Sequence, residues 1–471
     1  MIPVRKKISY DDFVNAKSQL GGNSGFKPTF MPDFLFPFQK ALLEWSVLKG
    51  RSATMADCGL GKTPIQLCWA QNVVEKTNKP VLILTPLAVG SQTVREGEKF
   101  EIECKQSRDG QINSKIVITN YQQLHKFNWQ DFSGVACDES SILKNFDGEI
   151  KSQITEFMRK LEYRSLYTAT AAPNDYIELG TSSEALGELG YMDMLARFFK
   201  NAQNSLHPSV YRHRGMDFNK LNESAKWRFR GHAENDFWRW VCSWARAVRK
   251  PSDLGFSDEG YKLPKMIMQE HVVKSSVKNP DYLFEMPAVG LQEQRSERRR
   301  TLQERCEMAA KLCTEHKGSS IAWCFLNSEG DLLEKLIPDC VQVSGDDSDE
   351  LKEEKMAAFM SGQVKNLVSK SIMVGFGLNM QFCYHQTHFP SHSFEQWYQA
   401  VRRSYRFGQK KNVQIDMITS EGESNVVSNF KRKEAQAEVM FSKLVNLINN
   451  ELKIERKTNS NNQLETPSWL K

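Results

Sequence analysis

Short apolar runs separated by stretches of helical periodicity recur along this chain in two blocks. The first holds Val81–Thr85, Ile116–Thr119, Val135–Cys137 and Ser165–Thr170. The second holds Ile321–Phe325, Cys340–Val343, Asn366–Ser369, Gln386–Phe389 and Val413–Ile418. Short runs of this kind, the clearest of them apolar at nearly every position, read as strands covered on both faces, and such strands belong to parallel sheets. Alternation with helices makes each block an α/β domain. The expected fold class is therefore α/β, with two parallel-sheet lobes. Residues 191–264, rich in Arg, His and Trp and lacking a period of two, read as a mainly helical insertion and linker between them.

The segment Met55-Ala56-Asp57-Cys58-Gly59-Leu60-Gly61-Lys62-Thr63 carries the most chemistry. It follows a helix-like stretch and opens another helix, read as Pro64 to Val74. A glycine-rich turn entering a helix N-terminus presents converging N–H groups that cradle polyphosphate. Gly59 and Gly61 let the main chain approach the phosphates. Lys62 supplies a charge for the β- and γ-phosphates, and the Thr63 hydroxyl is a ligand for Mg²⁺. The strict pattern G-x-x-x-x-G-K-[ST] has Gly where this chain has Ala56, so the match fails at one position.

Downstream, the apolar run Val135-Ala136-Cys137 ends in Asp138-Glu139-Ser140-Ser141. An acidic pair by itself says little. At the carboxyl end of a strand, in a chain that carries a phosphate loop, the two acids divide the work. Asp138 would hold Mg²⁺ through water, and Glu139 would orient and deprotonate an attacking water. In the second block, Gln399, Arg403 and Arg406 share one face if 399–409 is helical. Two arginines there suit a γ-phosphate across a cleft, as arginine fingers do. A solvated basic helix would look the same.

Composition narrows the remaining classes. A net charge of +6 over 471 residues suits a nucleic-acid partner without demanding one. The ten cysteines include no C-x-x-C pair, which reads as reduced, buried thiols in a cytoplasmic protein rather than a zinc site. The start Met1-Ile2-Pro3-Val4-Arg5-Lys6-Lys7 has no apolar core after it, and no run of apolar residues reaches membrane-spanning length. No signal peptide and no membrane partner are expected.

Taken in order, these motifs resemble the superfamily-two helicases and translocases, and among them the Swi/Snf-type ATPases in a compact, phage-like form. The resemblance covers roughly residues 30–430. It is carried by Phe36-Pro37-Phe38-Gln39, by Ala56–Thr63 with Gln66, by Thr85-Pro86-Leu87, and by Ile118-Thr119-Asn120-Tyr121. It continues through Asp138-Glu139, Thr168-Ala169-Thr170-Ala171-Ala172-Pro173-Asn174 and Gly375-Phe376-Gly377-Leu378-Asn379. The block Gln399–Gln409 matches the pattern Q-A-x-x-R-x-x-R-x-G-Q at every fixed position.

The resemblance implies two RecA-like lobes, ATP and Mg²⁺ as cofactors, and an ATP hydrolase working on duplex DNA. RNA is the alternative polymer. A motor subunit whose specificity comes from a protein partner, in a restriction or defence complex, is the alternative role. The implied bounds are an extension at 1–29, lobe one at 30–190, the insertion at 191–264, lobe two at 265–450 and a tail at 451–471. Gln39 would read the adenine edge, and Gly377 would line the nucleotide. Pro86, Thr119, Thr170 and Asn379 would touch the nucleic-acid backbone or couple it to ATP. Arg403 and Arg406 take the arginine-finger positions, and Arg402 is a cation that the pattern does not require.

Three motifs depart from the family. The acidic motif reads Asp-Glu-Ser-Ser in place of Asp-Glu-x-His or Asp-Glu-Ala-Asp. The third reads Thr-Ala-Thr-Ala-Ala-Pro in place of Thr-Gly-Thr-Pro. Phe376 stands where a small residue is usual. None of these alters Lys62, Asp138, Glu139 or the two arginines. Within 191–264, Arg212, His213, Arg214, Arg228 and Arg230 among tryptophans suit duplex contact, although aromatics at helical spacing more often form core. The arginines at 295–300 pose the same choice between phosphate contact and a solvated face.

Overall fold

The computed structural model describes residues 22–144, 148–170, 176–201, 227–274, 291–374, 379–389, 393–423, 428, 430–435, 438–439 and 441–447. Contacts divide the chain into two compact units. One takes the chain up to Thr85, Thr93–Ser257 and the residues from Glu438 on; the other takes Pro86–Gln92 and Asp258–Ala437.

The strands of the first unit are β1 (Arg51–Ala56), β2 (Val81–Thr85), β3 (Lys105–Gln106), β4 (Ile116–Asn120), β5 (Gly134–Asp138), β6 (Tyr163–Thr168), β7 (Phe199–Asn201), β8 (Trp227–Phe229) and β9 (Ala245–Val248). Seven of them form one sheet in the order β3-β4-β2-β5-β6-β1-β9. Every pairing in it is parallel. Strands β2, β4, β5 and β6 are buried at every position, which is why β2, β4 and β5 read as largely apolar runs. In the second unit, β10 (Met266–Val273), β11 (Ser320–Cys324), β12 (Cys340–Val343), β13 (Asn366–Lys370), β14 (His385–His388) and β15 (Val413–Ser420) pair in parallel in the order β10-β15-β14-β11-β13-β12. The two parallel sheets stand where the two blocks of apolar runs predict them.

Some strands carry no such signal. The phosphate-loop segment follows a strand, β1, rather than the helix-like stretch expected from the sequence. Two of its buried positions are Ser52 and Thr54, and the Ser52 hydroxyl bonds to Ser46 Oγ at 2.6 Å and Ser165 Oγ at 3.4 Å. Internal hydroxyl pairing lets a polar sequence sit inside a sheet. The helix that follows runs Lys62–Thr77, longer at both ends than Pro64 to Val74.

Among its described residues the segment at 191–264 carries the helices Tyr191–Phe198 and Ala233–Trp244 together with strands β7, β8 and β9. It is built into the first unit rather than set apart from it. Its strand β9 closes one edge of the first sheet against β1. Trp238, Trp240 and Trp244 are buried in the first unit's core, so the core reading of these aromatics holds. The signal for β9 was hidden by Arg246, whose buried guanidinium donates to Ala245 O at 3.1 Å and lies 4.4 Å from the Trp45 ring. Arg212, His213 and Arg214 lie outside the described residues.

The first unit also reclaims the end of the chain. Phe441, Leu444 and Val445 join its core, Lys443 pairs with Glu234 at 2.7 Å, and Arg249 pairs with Glu438. The bounds drawn from the sequence, which run lobe two to 450, therefore differ from the units that the contacts define.

In the second unit the arginine-rich stretch separates by role. Arg305 is fully buried and bonds Glu329 at 2.8 Å, Thr301 Oγ1 at 3.1 Å and Arg298 O at 2.6 Å. Arg298 pairs with buried Glu423 at 2.8 Å, and Arg300 with Glu297 at 2.9 Å. Arg295 and Arg299 are exposed. The cluster is thus partly internal scaffolding. Removing one partner of a buried pair strands the other charge, so Arg305→Ala should cost about 3–5 kcal/mol, read as a lowered urea midpoint.

Candidate nucleotide-binding and hydrolysis site

Functional groups gather at the carboxyl edge of the first sheet, where ligands bind in open α/β folds. β1 runs into the glycine-rich turn. β5, one strand further along beyond β6, ends at Asp138, whose register partner is Tyr167. The turn is anchored by Asp57 N–H donating to Val248 O at 2.9 Å and Leu60 N–H donating to Asp57 O at 3.3 Å. Gly59 and Gly61 have φ of +86° and +78°, the left-handed region that glycine enters without strain. Gly61 caps the helix Lys62–Thr77 without a side-chain bond, so that helix's first N–H groups face the loop.

Lys62 Nζ donates to Ala56 O at 2.9 Å and Asp57 O at 3.4 Å. Both acceptors are neutral carbonyls of the loop itself, and phosphate oxygens make stronger partners for an ammonium. Uncapped N–H groups, two left-handed glycines and a lysine folded over them together fit a polyphosphate.

Gln39 is buried against this loop. Its Nε2 donates to Leu60 O at 2.9 Å, and its Oε1 accepts from Phe36 N–H at 3.0 Å. Each end of the amide retains one further bonding position, so adenine reading remains compatible with its support of the loop. A Cβ on Gly61 would lie 2.2 Å from Gln39 Nε2, so a larger residue there would displace the Gln39 amide as well as strain the backbone.

Asp138 and Glu139 are both buried. Asp138 Oδ1 accepts the Glu139 N–H at 3.1 Å. Burial, and then the neighbouring Glu139 charge, push the Asp138 carboxyl above its ordinary range, and Lys62 draws it back. Glu139 is a non-glycine residue at φ +51°. Such a conformation is uncommon outside glycine and costs free energy. A divalent cation would relieve the crowding of negative charge. The donor set of Thr63, Asp138 and phosphate oxygens suits Mg²⁺, which keeps several waters and takes few protein ligands. Among the described residues no cluster of three or more His, Cys, Asp or Glu could hold a metal by itself.

Sequence reading overlooked the role of Tyr121. Its hydroxyl donates to Asp138 O, tying the end of β4 to the acidic motif. A tyrosine after a strand gives no signal of this by itself. This bond is one link between the acid pair and a neighbouring motif.

The positions expected to meet nucleic acid are unequal. Asn379 is exposed and Pro86 is half-buried, whereas Thr119 and Thr170 are buried. Thr119 lies inside β4 and its carbonyl accepts from Thr85 Oγ1 at 3.5 Å. A polymer cannot touch its side chain in this conformation. Gly377 and Phe376 lie outside the described residues.

The arginine segment departs from the helix expected of it. The helix Phe394–Val401 stops there, and residues 402–409 continue as turns, so Gln399, Arg403 and Arg406 do not share a helical face. Tertiary bonds redirect the chain. Met380 N–H donates to Arg403 O at 3.0 Å, and Gln409 Nε2 donates to Ser404 O at 3.1 Å. Gly408 sits at φ +91°. The buried Arg403 donates to Gln399 O at 3.0 Å and Gln399 Oε1 at 2.8 Å. Arg402 lies 5.0 and 5.3 Å from the Tyr398 and Tyr405 rings, so it packs on tyrosines rather than standing free in solvent. Arg406 is half-buried.

No protein family and no curated protein matches this sequence. Solved structures do. S. cerevisiae Dbp5 bound to RNA and ADP BeF3 superposes with a TM-score of 0.52 at 12% identity, over 87% of this chain and 98% of that one. A single-site variant of Dbp5 in the same complex gives 0.50 at 13% identity over the same shares. The fold is shared with Dbp5. The two parallel sheets are accordingly two RecA-like lobes. The Sulfolobus solfataricus SWI2/SNF2 ATPase core in complex with dsDNA covers 89% of this chain and 96% of that one at 16% identity. Its TM-score of 0.39 is too low to argue from.

Proposed function

We propose that this chain is an ATP-dependent translocase or helicase acting on duplex DNA. The observation that carries the reading is the joining, at one sheet edge, of a phosphate-cradling loop, its lysine and a buried acid pair held in a strained conformation. In this reading the loop N–H groups and Lys62 bind the phosphates, and Gln39 meets the adenine. Thr63 and Asp138 would hold Mg²⁺, which would offset the negative charge of the phosphates. Glu139 accepts a proton from the attacking water. Arg403 and Arg406 meet the charge that develops on the γ-phosphate when the lobes close, and reopening moves the polymer.

Support for a polyanionic partner comes from the two-stranded ribbon β7–β8. Lys200 and Arg228 stand directly opposite each other in register, and both are exposed. Like charges so placed repel each other, and a phosphate between them turns repulsion into attraction. Arg230 is fixed by its Nε bond to Phe199 O at 2.7 Å.

The deciding experiment is ATP turnover without polymer and with single-stranded DNA, duplex DNA or RNA, at controlled salt. Duplex DNA should stimulate most, and its binding should fall by about 0.9 log units per log unit of salt for each phosphate neutralised. Lys200→Ala with Arg228→Ala should reduce stimulation and leave basal turnover intact. The second reading, an RNA-dependent enzyme, is favoured by the likeness to a protein solved with RNA. A larger stimulation by RNA would establish it over DNA. Activity appearing only when a further subunit is added would mark the chain as the motor of a larger complex.

A further inference from the structure

Gln386 is a polar residue in an apolar place. It lies mid-strand in β14, fully buried, with Ile321 and Ile415 as its register partners on the two flanking strands. Both of those isoleucines are fully buried as well. An amide in such a layer is costly unless every group is bonded.

Here every group is. Oε1 accepts from Trp323 Nε1 at 2.9 Å and from His388 Nε2 at 2.9 Å. Nε2 donates to Ser404 Oγ at 2.8 Å, with Ala400 O and Val401 O each at 3.4 Å. An indole N–H only donates, so the Trp323 bond fixes which end of the amide is oxygen. The nitrogen must then face Ser404. His388 is kept neutral by burial, its pKa pushed down to about 3, and donates through Nε2 as a neutral ring.

The three acceptors on the nitrogen side lie where the helix Phe394–Val401 gives way to the turn that carries both arginines. Ala400 O and Val401 O also accept backbone N–H groups of the turn, from Arg403 at 3.1 Å and from Ser404 and Tyr405 at 3.2 and 2.9 Å respectively. Ser404 lies between Arg403 and Arg406. Its hydroxyl is held by Gln386 and its carbonyl by Gln409 Nε2, while Arg403 O is held by Met380 N–H. Of these tethers, Gln386 is the one that starts inside the sheet.

We propose that Gln386 is a positioning residue for ATP hydrolysis: its amide sets the path of the turn 402–406 and hence the aim of Arg403 and Arg406. The proposal rests on the hydrolysis reading above. Gln386 touches no reacting atom and acts only through the turn. Small misplacements of groups that meet a transition state are costly in rate.

The test compares kcat, KM for ATP and melting temperature for Gln386→Leu, Ser404→Ala, their double variant, Ile415→Val and Lys62→Ala. Ser404→Ala deletes the same bond from the far end, so it decides the matter if Gln386→Leu folds poorly. Both single variants should lower kcat by about 10- to 100-fold while KM stays within about threefold. The double variant should be no worse than the more impaired single one. Ile415→Val loosens the same layer without removing a hydrogen bond, so it should lower the melting temperature and leave kcat alone. Unchanged kcat in folded Ser404→Ala and Gln386→Leu would overturn the proposal, as would an equal kcat loss in Ile415→Val. Lys62→Ala separates the two levels of the argument. If it abolishes turnover while the positioning variants do not change kcat, only the role of Gln386 falls. If it leaves turnover intact, the hydrolysis reading falls and the positioning role goes with it.

Discussion

Glu139→Gln should yield a folded protein that binds ATP and scarcely hydrolyses it. The substitution keeps the size of the side chain and the hydrogen bond from the Glu139 main chain to Asp138, and it removes only the proton acceptor. Loss of a positioned general base costs roughly 10²- to 10⁴-fold in rate. Affinity should hold or rise slightly, because one negative charge leaves the neighbourhood of the phosphates. Lys62→Ala should behave differently. Its ammonium is the cation folded over the loop, so binding and turnover should both fail. Binding of a fluorescent ATP analogue together with phosphate release separates the two variants. A Glu139→Gln protein that hydrolyses at the wild-type rate would remove the acid pair from the chemistry.

The arginines give the second large effect. Arg403→Ala or Arg406→Ala should lower turnover by roughly 10³-fold or more, as loss of arginine fingers does, with much less change in ATP affinity. Burial adds a condition for Arg403, because its bonds to Gln399 also hold the turn together. Arg403→Lys keeps the charge and loses the planar fork, so it should recover little. Circular dichroism and melting establish that each variant is folded. If the loss falls mainly on ATP binding, these residues clamp the ground state and are not fingers.

Much of the scaffold was legible because burial on both faces forces unbroken apolar runs, as in Val81–Thr85 and Ile116–Asn120. β1 and β9 were not, since Ser52, Thr54 and Arg246 break the apolar pattern, Ser52 and Arg246 being bonded internally. The chemical types at the site were legible as Lys62, Asp138 and Glu139. Their geometry was not: no local signal encodes the left-handed backbone of Glu139 or the hydroxyl that Tyr121 extends to Asp138. The spacing of Gln399, Arg403 and Arg406 is helical, yet bonds from Met380, Gln386 and Gln409 end the helix first. Those donors are distant in sequence or lie beyond the turn, so periodicity could not report them. The arginines of 295–305 show the same limit, because charge is visible in a sequence whereas partners such as Glu329 and Glu423 are not.

Phe441, Leu444 and Val445 complete the first lobe's core, yet a ribosome reaches them only after the whole second lobe has been synthesised. Order of synthesis and order of assembly therefore conflict. The nascent first lobe must wait, with a patch beside its tryptophan-rich helix still open to water, until about two hundred further residues have been joined. Closing so long a loop is slow compared with the local packing of a βα unit. The early half of the chain is thus the half that finishes last, and a ribosome stalled within the second lobe would leave an uncompleted first one.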